Sequence, residues 1–138
     1  MVRVQVGKFG LQWIMAQELA DKQQFTEFPA MLHLMAKQDY SILRKYIEKY
    51  YNERGRGISG MGLMMGLHSG ATMERQALIV RESGNALFGN AMNYPLFDVP
   101  DTWGNPDLGN SYRSVIRSDH KTLFVSGTLD PGALPDQA

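Results

Sequence analysis

Cysteine is missing from the chain altogether, and with it go a disulfide framework, a thiolate nucleophile and any cysteine-ligated zinc site. A surplus of either charge is missing too. Fourteen lysines and arginines stand against fourteen aspartates and glutamates, for a formal net charge of zero, so no field draws the protein toward nucleic acid or an anionic membrane, and neither partner is expected. No apolar run approaches the ~18 residues of a membrane span, and the opening "MVRVQVGKFG" lacks the continuous apolar stretch of a signal peptide. The expectation is a soluble protein, cytoplasmic by default. What is present is 138 residues, 43% hydrophobic and 20% charged, the profile of one ordinary domain with a core of its own.

Catalytic signatures are scarce as well. A nucleophilic serine on a strand-to-helix turn needs glycines around it, as in G-x-S-x-G, because they permit the strained turn that exposes the hydroxyl. Ser59, Ser69, Ser111 and Ser126, in "GISGM", "HSGAT", "GNSYR" and "VSGTL", each lack a glycine on at least one side of that pattern, and they read as turn or cap residues. His33, His68 and His120 stand apart with no H-x-x-x-H pair, so no metal and no other cofactor is expected.

Helical periodicity dominates the first ninety residues. "GKFGLQWIMAQELAD" has Leu11, Ile14, Met15 and Leu19 on one face. "TEFPAMLHLMAKQD" offers Thr26 as an N-cap, with Pro29 early enough for a first turn. "DYSILRKYIEKYYNERGRG" aligns Ile42, Leu43, Tyr46, Ile47, Tyr50 and Tyr51 opposite Arg44, Lys45, Glu48 and Lys49. That tyrosine stripe, flanked by basic residues, imitates a stacking platform for single strands, but burial alone explains it. "ISGMGLMMGLHSG" is apolar yet interrupted by Gly60, Gly62 and Gly66, each costing a helix about 1 kcal/mol against alanine. Its methionines suit either an adaptable ligand groove or plain core filling, the commoner use. "TMERQALIVRESGNALFG" resumes the period through Ala77, Val80, Leu87 and Phe88, with Thr72 as N-cap and Glu74 in the first turn.

Prolines, glycines and asparagines then break the period, and an ordered loop segment is expected. Near the end, "KTLFVSGTLDP" places Leu123, Phe124 and Val125 in a short apolar run, which predicts a strand covered on both faces. Asp130 comes after that run. An acid just past the carboxyl end of a buried strand stands where open α/β sheets place functional groups; an Asp-Pro turn closing the strand explains it equally well. His120 and Asp130 bracket the run, and ten extended residues span roughly 33 Å, so the two cannot meet across a straight strand.

"SDHKTLFVSGTLDP" resembles the late strand of α/β-hydrolases in the branch of proline iminopeptidases and tripeptidyl-aminopeptidase-like serine peptidases. The likeness extends backward: the stretch running from "GRGISGMGLMMGLHSGATMERQ" to "LGNSYRS" looks like that branch's passage from lid to strand, and the early helices look like the lid. The resemblance implies a mainly α chain, the helical lid (cap) of an α/β-hydrolase with one or two short strands from the hydrolase core. Residues 1–90 would be the lid, 91–118 the ordered loop segment, and 119–138 the late strand and triad-acid loop. Asp130 would be the triad carboxylate, orienting a histidine that activates a serine; neither of those partners has a counterpart here. A peptide or ester substrate is implied only if the rest of a hydrolase completes the chain. Acidic groups that meet a peptide's amino terminus in related aminopeptidases have candidates in Glu18, Glu27, Glu48, Glu53 and Glu74, for each of which surface solvation is the ordinary role. The alternative is a non-catalytic helical module that binds an apolar ligand or a partner protein. On either account, exposed helix faces and an unpaired strand predict self-association, as a homodimer or larger.

Overall fold

The computed structural model describes residues 4–19, 21–52, 59–96, 99, 104 and 107–128. Seven α-helices succeed one another among them: α1 Lys8–Glu18, α2 Lys22–Phe25, α3 Phe28–Ala36, α4 Ser41–Ile47, α5 Gly60–Ser69, α6 Met73–Ser83 and α7 Gly109–Tyr112. A π-helical turn, Glu48–Asn52, prolongs α4, and a 3₁₀ turn spans Ala91–Asn93. The architecture is mainly α, as expected. No helix among the described residues is long and apolar enough to cross a membrane.

Local signals account for most of the helix starts. Asp21 caps α2 by accepting from the Gln23 backbone N–H at 2.9 Å, and Pro29 lies in the first turn of α3, where its missing N–H leaves no helical bond unmade. Ser59 accepts from Gly62 N–H to begin α5, and Thr72 accepts from Arg75 N–H to begin α6. The expected role of Thr26 is corrected. It closes α2 instead of opening α3, and its hydroxyl donates to the Gln23 carbonyl at 2.8 Å. The competing helix is the short one before it, which uses the same residue as its end.

The core is assembled early in the chain. Ile14 and Met15 of α1, Phe28 and Met31 of α3, and Leu43 and Tyr46 of α4 form one buried cluster, with Leu11, Trp13, Phe25 and Ile47 packed around it. Burial of such side chains is the main favourable term, at about 1.5–3 kcal/mol each. A later segment joins this body by folding back on α1. Gln12 Nε2 donates to the Leu87 carbonyl at 2.8 Å, Phe9 meets Tyr94 edge-to-face at 5.5 Å, and Ala91 is fully buried. Gly89 adopts φ +55°, and a Cβ there would press on the Gln12 amide at 3.2 Å, so the return needs a glycine.

Two expectations fail in the later part. Leu123, Phe124 and Val125 form no strand: none occurs among the described residues, and these side chains are 86%, 70% and 87% exposed. A strand needs a neighbour for its N–H and C=O groups, and the rest of the described chain is helix and turn. The "GMGLMMG" methionines do not fill the core either. Met61, Met64 and Met65 are exposed, and Leu63 is the one buried side chain of α5.

Candidate functional site

Asp130 lies outside the described residues, as does Glu53. His120 is exposed; its backbone N–H donates to Ser118 Oγ at 3.2 Å and its carbonyl accepts from the Thr122 hydroxyl. His33 is exposed on α3. No group of three histidine, aspartate or glutamate side chains suited to a metal ion occurs among the described residues. Ser59 and Ser69 play the structural parts expected of them: the first caps α5, and the second donates to the Gly66 carbonyl at 3.2 Å in its last turn.

Glu18 departs from the solvated role expected of it. Its side chain is 2% exposed, and Oε1 is ion-paired with Lys49 Nζ while accepting from the Tyr50 hydroxyl at 2.7 Å. The Trp13 ring packs edge-to-face on Tyr50 at 5.1 Å, and the Lys49 ammonium lies 5.4 Å from the centre of the same tyrosine ring. Consecutive residues of the π-helical turn thereby reach one carboxylate, as a regular α-helical turn would not readily allow. The signal was available: Glu18 falls four residues after Ile14 and seven after Leu11, on the buried stripe of α1. Through Oε1 the carboxylate ties the end of α1 to the π-helical turn that prolongs α4.

The tyrosine stripe is core only in part: Tyr46 is buried as expected, Tyr50 is half-buried, and Tyr51 is exposed. Tyr46 is buried, with its hydroxyl 3.3 Å from the Gln24 carbonyl, from Gln24 Oε1 and from Glu27 Oε2. Burial, with the Glu27 carboxylate beside it, pushes the phenol from 10.0 up to about 12. Glu27 therefore faces Tyr46. Glu48 and Glu74 are exposed, in keeping with the solvated role.

A concave surface opens farther along the chain. Met61, Met64 and Met65 from α5 form one wall, Leu108 and Tyr112 the other, and His68 and Ser69 the end, around a volume of about 800 Å³. Two features hold the walls. Gly66 lets Leu96 pack closely against α5, where a Cβ would come within 2.6 Å of a leucine methyl. Arg113 clamps the segment bearing Leu108 and Tyr112 to the end of α5, because Nη1 donates to the Ser69 carbonyl at 2.8 Å. The same guanidinium grips Asp107 in a forked pair at 2.5 and 3.1 Å and donates to Asn110 Oδ1 at 3.1 Å. The bonds from Arg113, joined by the Gly109 N–H, hold the Asp107 carboxyl down at about 2. Gly70, at φ +54°, leaves room for this clamp; a Cβ would stand 2.8 Å from Arg113 Nη1.

His68 belongs to both walls. Its carbonyl accepts from Leu108 N–H at 3.0 Å, and its ring Nδ1 lies 2.7 Å from the Met64 carbonyl. A carbonyl accepts only, so Nδ1 carries the proton, and in the neutral ring Nε2 is left as an acceptor. The sequence signal for this groove was the methionine cluster, but its second wall comes from residues more than forty positions away. Comparison with family models, with curated proteins and with solved structures returns no match.

Proposed function

We propose that this chain is the helical lid and acid-bearing segment of an α/β-hydrolase, a serine peptidase or esterase, with Asp130 as the triad carboxylate. By itself it is catalytically silent, because no serine nucleophile and no partner histidine accompany that acid. One observation carries the assignment beyond the resemblance of "SDHKTLFVSGTLDP": an apolar run of the kind that fills a parallel sheet stands uncovered. Leu123, Phe124 and Val125 lie in solvent, in no strand, and the described residues offer no sheet for them to join. A hydrolase core supplies such a sheet, and in its absence a second copy is the nearest substitute, which favours self-association.

The test combines activity with labelling. The purified chain should turn over neither an ester nor an aminoacyl-arylamide, and a serine-directed fluorophosphonate should leave no adduct by mass spectrometry. A labelled serine would sink the assignment. Within a complete enzyme carrying this segment, Asp130→Asn should lower turnover by about 10⁴ while substrate binding persists; unchanged turnover would remove Asp130 from the triad. Self-association is read by hydrogen exchange at residues 122–125, which should gain protection as protein concentration rises. A species that stays monomeric and unprotected at high concentration would contradict it.

A further inference from the structure

We propose that the groove between α5 and the 107–113 segment is a binding site for an uncharged aliphatic molecule whose hydroxyl or amide N–H donates to His68 Nε2. Its volume of about 800 Å³ lies in the range of small-molecule sites, roughly 300–1,000 Å³. Methionine thioethers, flexible and polarizable, fit themselves to alkyl chains of varied shape. Met61 and Met65 stand 72% and 65% exposed, whereas Met15 and Met31 are buried in the core, so the protein uses this residue type in two distinct ways.

Charge selects the class of ligand. Among the described residues, those lining the groove carry no formal charge when His68 is neutral, and the ions at its edge, Arg113 and Asp107, are consumed by each other. A carboxylate or ammonium entering beside the neutral ring would lose hydration and find no counter-ion among the described lining residues, an unfavourable exchange. A neutral molecule loses nothing comparable. The head group is set by the hydrogen bonds already made: Ser69 gives its proton to Gly66 and His68 Nδ1 gives its proton to Met64, so the ring nitrogen left at the His68 end is an acceptor and calls for a donor. The clamp matters because Leu108 N–H is anchored on the carbonyl of His68 itself, fixing the far wall to the residue that receives the head group. None of this depends on the hydrolase assignment, since it concerns binding by the chain alone and not turnover.

The test is titration of the full chain with decanol, decane and decanoate, read on methionine methyl resonances. Decanol should move Met61, Met64 and Met65 and leave Met15 and Met31 in place. Decane and decanoate should each bind about tenfold more weakly, for want of the hydrogen bond or of a counter-ion. Exposed Met61→Glu with Met65→Glu should abolish binding without altering the helical circular dichroism, and His68→Phe should erase the preference for decanol over decane. The proposal is overturned if decanol leaves the three methyls unmoved, if decanoate binds as well as decanol, or if His68→Phe keeps the preference. Dilution that moves the same methyls without ligand would overturn it too, because a second copy would then occupy the groove.

Discussion

The described residues up to 52 and those from 59 onward both build short helices, yet they dispose of their apolar side chains in opposite ways. In the first region α1, α3 and α4 turn their stripes inward on one another, and Ile14, Met31 and Tyr46 are lost to solvent. In the second, α6 has the clearer start signals, with the Thr72 cap and Glu74 in its first turn, and it buries no side chain at all. Val80, Leu87 and the methionines of α5 remain in water. Capping and propensity suffice to make a helix; covering its apolar face takes a second surface, and among the described residues the first region supplies far more of one.

Core truncation should give the largest contrast. Met31→Ala, at a fully buried site, should cost about 2–5 kcal/mol in chemical denaturation, whereas Leu87→Ala, at a site 76% exposed, should stay within about 0.5 kcal/mol. Equal losses would erase the distinction between the regions. Next comes the ion pair. Lys49→Met leaves Glu18 buried with the Tyr50 hydroxyl as its remaining donor, and the expected loss is about 3 kcal/mol. Glu18→Leu combined with Lys49→Met should recover most of it, because an apolar pair in the same space needs no counter-ion; no recovery would mean that the tie between α1 and α4 requires charge.

A pH titration sharpens the same point. Tyr46 has its pKa raised in the fold from 10.0 to about 12, so folding favours the neutral phenol. Its contribution is complete below pH 10 and declines as pH rises through 12. The stability difference between the protein and Tyr46→Phe should therefore change across that window and be flat below it, as read by denaturation at stepped pH. The smallest effect is reserved for the second region. Thr72→Ala removes the cap of α6, worth about 1 kcal/mol to that helix. Hydrogen exchange in the first turn of α6 should accelerate while the global unfolding midpoint hardly moves, since α6 buries none of its residues. A lowered midpoint would show that the second region supports the first.

Much of the helical layout was legible because its causes are local. The spacing of Leu11, Ile14 and Met15, the hydroxyls of Ser59 and Thr72, and Pro29 in a first turn all act within four residues of themselves. Thr26 shows the limit of such signals: two adjacent helices compete for it, and it ends α2 instead of opening α3. The site was less legible. "GMGLMMG" announced a cluster of methionines without saying whether anything would cover them, and the opposite wall hangs on Arg113, which sequence spacing does not connect to Ser69. The run at 123–125 is worse placed still, because three apolar residues in a row state a preference for burial and contain no partner.

The amino-acid sequence by itself determined that this chain is mainly helical, nearly where its longer helices begin, and that neither a disulfide nor a cysteine-bound metal holds it. Tertiary structure alone decided that Glu18 is an interior ion pair, that Tyr46 is sealed in a core while the methionines of α5 face water, and that Arg113 holds one wall of a groove. The division reflects the range of the forces: a helix is secured by hydrogen bonds four residues apart, but burial and ion pairing are properties of two surfaces, and the second surface comes from wherever the fold brings it.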